Sequence, residues 1–538
     1  MHDAAAAEAP HRTRLPLSLT DFRACIPSGY EAALAAASAL LLVLAFPNFE
    51  FWWLAWFGLA PLLYAVARVR RSVTAFLLGW LWGTIFFYGT CWWLTYSMIH
   101  YGRMPAWLAY PLLLLPVMFG ALFPAAACAF LSRVIIRFGM GAILTAPLIW
   151  VSFELVRYAV TGLAWNAIGY SQAFHPQLIL SARWGGVYAI SFLIVMVNAV
   201  LVFAFVRRTW RAYVLSLCIL AIALACTVDA VFRPVSMTES NPPYIFVVAV
   251  QPNVPMETVN ELTMQQLLQR HIELGRQGLA NIPIDDKSSR LVVWPESPMN
   301  FSYSRDPKLQ SVVSAFARAN QTAVLLNSLE PAPNGGDFNS AILVNEEGQK
   351  VAQYDKIRLM PFGEYVPLPR WLPGSGSVRS IVGEFTPGSS YTLMPLGAFR
   401  AGVFICIEAA HPAVARSFAH GGADVLINIS NDGYLGPTPV MRQHLANAVF
   451  RAVESNRDLL RVTNTGISAH IDHTGRVSDA TAGFQPELRT WSISKNSLGT
   501  AFYTRHGDVF VYGCALISLG MISATFMSKR FGRAHTGH

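Results

Sequence analysis

The sequence predicts a multi-span α-helical membrane bundle of about eight helices joined to an extracytoplasmic α/β domain. Three observations predict it. The composition is 54% apolar and only 13% charged, far from that of an average soluble chain. Apolar stretches of about 16 to 25 residues recur before position 232 and once more near the C-terminus, the length a helix needs to cross hydrocarbon. From Tyr244 onward the texture changes to short β-branched runs alternating with helical patterns, which is how an α/β layer structure reads.

In chain order, residues 1–29 read as an Ala-rich cytoplasmic tail. Residues 30–232 read as a membrane domain of about seven helices, with spans near 30–47, 51–67, 73–98, 106–131, 141–160, 187–206 and 212–232. The first two spans are short and separated only by 47–50, so a re-entrant hairpin is the alternative for that pair. Residues 241–505 form the polar domain, 508–527 a last transmembrane helix and 528–538 a second cytoplasmic tail. A cleaved leader is not expected, because no small-residue cleavage site follows the first span.

Orientation follows from the basic residues of short loops. Arg12, Arg14 and Arg23, then Arg68, Arg70 and Arg71, Arg133 and Arg137, Arg207, Arg208 and Arg211, and finally Lys529, Arg530 and Arg533 all fall on one side. The other side holds Arg103, Arg157, Arg183 and Arg233. The positive-inside rule therefore puts both termini in the cytoplasm and 241–505 outside. That domain carries 22 Lys+Arg against 22 Asp+Glu, so the net charge of +9 belongs to the membrane part and reports topology. No basic footprint for nucleic acid is left.

Within the membrane part, aromatics such as Trp52, Trp53, Trp92 and Trp93 crowd the span ends as interfacial belts do. Glu154 and Arg157 stand i,i+3 near the outer end of the fifth span and can pair on one helix face. The loop 160–186, with Trp165, His175 and Trp184, reads either as the floor of an outer-leaflet site or as interfacial anchoring.

Chemistry concentrates in the polar domain. Of seven cysteines, only Cys406 lies there, at the end of the apolar run 402–405 where a strand gives way to a helix. With no disulfide partner, it is either a buried structural thiol or a reactive one. Two further fragments sit after strand-like runs: Trp294-Pro295-Glu296-Ser297-Pro298, and 354–364 with Lys356 and Glu364. A thiol needs a base to become a thiolate, which makes Glu296 the candidate base. The oxyanion formed by attack on a carbonyl needs a fixed positive charge, which Lys356 can supply. Asn431 and Asp432 also follow a strand end. His411 beside Pro412 reads as structural, with a Cys/His dyad as the alternative. His444, His470 and His473 lack zinc-like spacing with cysteine, and no phosphate-cradling Gly loop appears.

The spaced set of Glu296, Lys356 and Cys406 resembles the carbon-nitrogen hydrolase (nitrilase) superfamily. With membrane spans on both sides the chain is similar to the bacterial apolipoprotein N-acyltransferase family in particular. The likeness takes in the spans, Gly169-Tyr170-Ser171-Gln172, Gln251-Pro252-Asn253, the three fragments and Ser430-Asn431-Asp432. It implies an αββα sandwich of nitrilase type, with Cys406 as nucleophile, Glu296 as general base and acid, Lys356 as oxyanion stabiliser, and Glu364 and Glu408 as supporting carboxylates. The implied donor is a glycerophospholipid, typically phosphatidylethanolamine, and the implied acceptor is the amine of a diacylated apolipoprotein at the bacterial inner membrane; no cofactor or metal is implied. Ile407, Gly433-Tyr434-Leu435 and Met256-Glu257 depart from the family pattern, which bears on pocket shape and leaves the three reactive residues in place.

A donor lipid cannot leave the bilayer cheaply, since each buried methylene is worth about 0.8 kcal/mol, so the site must come to the lipid. The loop 363–390, with Trp371 and Leu372, is expected to be a membrane-dipping lid or else a plain surface insertion, and Trp165 is a candidate lipid contact. Two other readings remain open. One is a membrane-tethered amidase or nitrilase that hydrolyses a C–N bond; the other is a non-catalytic scaffold of the same fold.

Overall fold

Alternation along the strands decides how the polar domain is layered. In β1 (Tyr244–Gln251), Ile245, Val247 and Ala249 face one apolar cluster while Val248 and Val250 face another. In β2 (Ser288–Val293), Leu291 and Val293 take the first side and Val292 the second. Successive side chains of a strand point to opposite faces, so a strand apolar on both faces must be covered on both. One face meets a second sheet. The other meets the amphipathic helices Glu261–Leu279 and Pro307–Asn320.

The computed structural model describes residues 25–232, 244–256, 260–280, 282, 288–333, 335–367, 371, 384–495 and 499–531. The expected tails thus lie largely outside the described residues, as do Leu372 and most of the expected lid. The first sheet runs in the order β12 (Glu487–Ser494), β1, β2, β3 (Ala323–Pro331), β4 (Asp337–Val344), β5 (Lys350–Asp355). The second runs β11 (Val477–Ser478), β10 (Ala469–Ile471), β9 (Leu459–Thr463), β8 (Val425–Ser430), β7 (Phe399–Ile405), β6 (Leu393–Leu396). Each has three parallel strands flanked by antiparallel ones: β1–β3 in the first, β7–β9 in the second. Two six-stranded sheets packed face to face with helices on the outside make an αββα sandwich. The sequence reading did not anticipate β6, β11 or β12, although Trp491 and Ile493 of β12 alternate as a half-buried strand does.

The outer face of the second sheet is covered by the helices Pro412–His420 and Val440–Ser455. Nearly every residue of Val440–Ser455 is buried, because this helix is wedged between its own sheet and the apolar helix Ala182–Arg207. A helix buried all round is the join between the two halves of the protein.

Five described helices are long and apolar enough to cross a membrane: Ser72–Cys91, Ala106–Phe138, Met140–Thr161, Ala182–Arg207 and Val509–Phe526. Gly29–Ala45 and Trp210–Ala225 are apolar but shorter. The expected span 51–67 is broken into a turn at Trp52–Leu54 and the short helices Ala55–Gly58 and Ala60–Arg68. Small residues set one close helix contact. A Cβ at Gly79 would come within 2.7 Å of Ala125 Cα and one at Gly83 within 2.9 Å of Ala121 Cα, so Ser72–Cys91 and Ala106–Phe138 approach at a small-xxx-small seam.

Glu154 and Arg157 are both buried, and each binds the outer loop. Glu154 accepts from the Ile168 N–H at 3.0 Å, and Arg157 donates to the Trp165 carbonyl at 2.7 Å. The expected i,i+3 ion pair between them is not formed; each instead holds the outer loop separately.

Candidate active site

Four chain segments meet at one end of the sandwich. Glu296 follows β2 and Lys356 follows β5, both from the first sheet; Cys406 follows β7 and Asn431 follows β8, both from the second. β7 and β8 are neighbours in the second sheet. β2 and β5 are separated by β3 and β4, and their segments meet across the sandwich.

Lys356 is 1% exposed, and burying an ammonium is costly unless it is paired. Its Nζ lies 2.9 Å from Glu364 and 3.7 Å from Glu296. Burial pulls its pKa down, but the Glu364 and Glu296 carboxylates outweigh that and hold it well above the ordinary lysine value. The lysine therefore stays charged. Asn339, on β4, bridges the two acids: its Nδ2 donates to Glu296 Oε1 at 2.9 Å and to Glu364 Oε1 at 2.7 Å. Asn327 in turn donates to Asn339 Oδ1 at 2.7 Å, which fixes the amide's orientation. The other oxygen of Glu296 accepts from the Asn431 backbone N–H at 3.1 Å.

The Cys406 thiol favours the charged form of the Glu296 carboxyl. Burial pushes the Glu296 carboxyl above its usual range, opposed by the Lys356 charge. Burial also pushes the Cys406 thiol well up, and the Glu296 charge adds to this. A thiol held protonated beside a carboxylate of raised basicity is arranged for proton transfer at the moment of attack. Cys406 also has φ +53°, a left-handed conformation that costs a non-glycine residue about 1–3 kcal/mol. The expected strand-to-helix junction is in fact a tight 3₁₀ turn, Cys406–Ala410, with the α-helix beginning only at Pro412. The short turn places the thiol, partly buried, at the strand end.

Glu408, fully buried, does not face the thiol. Its Oε1 accepts from the N–H groups of Ile357 and Arg358 at 2.9 and 3.0 Å and from the Tyr354 hydroxyl at 2.8 Å; its Oε2 accepts from the Ile405 N–H at 2.8 Å. It ties the lysine segment to the cysteine segment. Glu364 accepts from the Met360 N–H at 2.7 Å as well as from the lysine, so it also closes its own turn.

His411 is buried with its ring 6.3 Å from that of Tyr158, and burial drives its pKa down to about 3. It is neutral. Trp165 is only 8% exposed and packs in an apolar cluster with Trp93, Ile407, Ala410 and Val440, bordered by Cys406 and Met360. Trp371 is 81% exposed. Sequence reasoning passed over Asn327, Asn339, Gln443 and Arg461, none of which stands in a recognisable spacing; Tyr354 lies in the lysine fragment but was given no role.

Residues 38–200 match the family model for the apolipoprotein N-acyltransferase N-terminal domain, and residues 247–501 match that for carbon-nitrogen hydrolase. The apolipoprotein N-acyltransferase of Geobacter metallireducens is 32% identical over 522 residues, covering 95% of this chain and 98% of its own. That of Photobacterium profundum is 28% identical over 527 residues, covering 93% and 96%. A crystal structure of a carbon-nitrogen hydrolase from Helicobacter pylori G27 overlays with a TM-score of 0.36 at 19% identity, over 47% of this chain and 89% of that one. An αββα sandwich seated on apolar helices defines a membrane-bound protein of carbon-nitrogen hydrolase type. More narrowly, the chain belongs to the apolipoprotein N-acyltransferase family, whose members are acyltransferases.

Proposed function

We propose that the protein moves a fatty acyl chain from a membrane glycerophospholipid to the N-terminal amine of diacylglyceryl-cysteine in an apolipoprotein, through a thioester on Cys406. Glu296 takes the thiol proton, and the sulfur attacks the ester carbonyl carbon. Lys356 balances the charge on the tetrahedral oxygen. The bond between the acyl carbon and the glyceryl oxygen breaks, Glu296 returns its proton to that oxygen, and a lysophospholipid leaves. The acceptor amine, neutral, then attacks the thioester; the C–S bond breaks, and Glu296 carries the amine's proton to the sulfur. Glu364 and Glu408 hold the lysine and the two loops. Trp165 is assigned to the wall that the acyl chain lies against.

One observation carries this reading. Ile407, the residue next to the thiol, packs with Trp93 and Trp165 of the membrane part, so the reactive sulfur borders apolar side chains of the membrane half. A soluble amide would need no such wall, which counts against the amidase alternative; the intact set of charged partners counts against a scaffold. We assign the donor as phosphatidylethanolamine, the location as the inner membrane, both termini to the cytoplasm and 241–505 to the periplasm. Protease protection of right-side-out vesicles checks the orientation.

The chemistry is tested by mass spectrometry of the full chain after incubation with phosphatidylethanolamine vesicles. A fatty acyl adduct on Cys406, discharged by a diacylated lipopeptide and absent in Cys406→Ser, is expected. An unmodified cysteine in protein that still transfers acyl chains would sink the mechanism.

A further inference from the structure

Three consecutive residues at the start of the helix Val440–Ser455 reach in two directions. Arg442 forms a two-pronged ion pair with Glu50, at 2.7 and 2.8 Å, in the turn after the first apolar helix. Gln443, 3% exposed, uses all four of its hydrogen-bonding positions on the membrane part. Its Oε1 accepts from the indole N–H groups of Trp93 at 3.2 Å and Trp165 at 3.0 Å. Its Nε2 donates to the carbonyls of Pro47 at 3.2 Å and Thr90 at 2.9 Å. Those partners lie on three separate segments. His444, the next residue, points the opposite way, and its Nε2 lies 3.0 Å from the backbone carbonyl of Cys406.

A carbonyl only accepts, so Nε2 carries a proton. On the other side of the ring, Nδ1 lies 3.0 Å from an Arg461 amino group and 2.9 Å from Asp432 Oδ1, and Arg461 is itself paired with Asp432 at 2.9 Å. The Trp165 ring lies 5.7 Å from the imidazole. The ring is thus locked from both edges and one face, and its one remaining job is the carbonyl of the residue held at φ +53°. Asn428 Nδ2 reaches the same carbonyl at 3.4 Å, a longer contact.

We propose that His444 is a positioning residue for the nucleophile, and that Gln443 fixes the helix it rides on to the membrane bundle, so that the placement of the Cys406 sulfur is referenced to the lipid-facing half of the protein. This rests on Cys406 being the acylated residue. His444 touches no reacting atom; it holds the peptide plane after Cys406 in the orientation the left-handed turn requires. A sulfur displaced by a fraction of an ångström from the lysine and glutamate would still meet lipid but react slowly. The signature is therefore loss of kcat without loss of lipid affinity.

Paired substitutions test it in the full-length protein reconstituted with phosphatidylethanolamine vesicles and a diacylated lipopeptide. In His444→Gln the amide nitrogen falls near the old Nε2 position and can still donate to the Cys406 carbonyl. In His444→Asn it falls near Nδ1 and cannot reach. We expect His444→Asn to lose about 100-fold in the rate of thioester formation at saturating lipid, with KM changed less than about threefold, and His444→Gln to recover at least about tenfold of that loss. Gln443→Met, of similar shape but without the four bonds, should lower kcat in the same sense with KM unchanged. Asn and Gln at 444 reacting equally fast, or a loss expressed in KM, would overturn the proposal. So would an unchanged kcat in Gln443→Met. Because the comparison is between two polar variants, it stands even where His444→Ala does not fold. Absence of a thioester in the unsubstituted protein would instead overturn the function proposed above, and the two failures are told apart by that control.

Discussion

The Oε1 of Glu408 accepts the backbone N–H of Ile357 at 2.9 Å, so the residue two places after the cysteine holds the residue directly after the lysine. The two strand ends that carry these groups belong to different sheets, and this carboxylate is one of the struts between them. Its four short contacts are all with donors, which is what a carboxylate can accept and an amide cannot.

Glu408→Gln should therefore be costly although it changes the shape little. The amide's NH₂ would face the Ile405 N–H or the cluster of Tyr354, Ile357 and Arg358, leaving buried donors unmatched. A loss of about 2–4 kcal/mol is expected from these unmatched groups. Thermal unfolding in detergent measures it, and a midpoint equal to the wild type would contradict the strut.

Thioester formation should depend on pH through Glu296. Burial raises its pKa above the ordinary carboxylate value of about 4.3, and the thiol, raised as well, does not ionise unaided at neutral pH. As pH falls through the Glu296 value the base is protonated and the rate drops. Rapid-quench measurement of acylation between acid and neutral pH should show this limb, and Glu296→Gln should lack it.

Asn339→Ala should move that limb. The Asn339 hydrogen bond favours the charged form of Glu296 and lowers its pKa, so removing the amide raises the pKa and shifts the acid limb toward higher pH. The rate at neutral pH should fall by about 10- to 100-fold, within the range that general-base contributions span. A limb that moves to lower pH would reverse the assigned sign.

Asp432→Asn should destabilise the fold in a pH-dependent way. Burial alone would raise the Asp432 pKa, but Arg461 and then His444 hold it far below the usual carboxylate range. A group with a depressed folded-state pKa contributes stability that is full above the unfolded value near 3.9 and is lost as pH falls toward the folded value. Breaking this buried pair should cost about 3–5 kcal/mol near neutral pH, and the gap to wild type should narrow in acid. Denaturation followed at neutral and acid pH would show whether it does.

Much of the architecture was legible in the residues themselves, because hydropathy and side-chain alternation are local properties. The apolar runs near 73–98, 106–131, 141–160, 187–206 and 508–527 each contain or overlap a long apolar helix, and the strand-like runs after Tyr244 overlap β1 to β5 and β7 to β10. The break within 51–67 was not legible, because composition does not report where a helix turns back on itself. Glu296, Lys356 and Cys406 stood out through chemistry and spacing. Asn339 did not: an asparagine within a strand carries no signal until two carboxylates from elsewhere arrive on either side of it.

What the chain alone determined is which groups are available: one thiol in a charge-balanced domain, carboxylates and a lysine at strand ends, and apolar length enough to hold them at a bilayer. Only the folded structure decided that β2 and β5, two strands apart in one sheet, deliver their side chains to a cysteine on the other. It also decided that Gln443 and His444, adjacent in the chain, look toward opposite halves of the molecule. The physical reason is that a buried polar group is costly unless paired, so Lys356, Glu408 and Gln443 are each settled by partners that only folding brings to them.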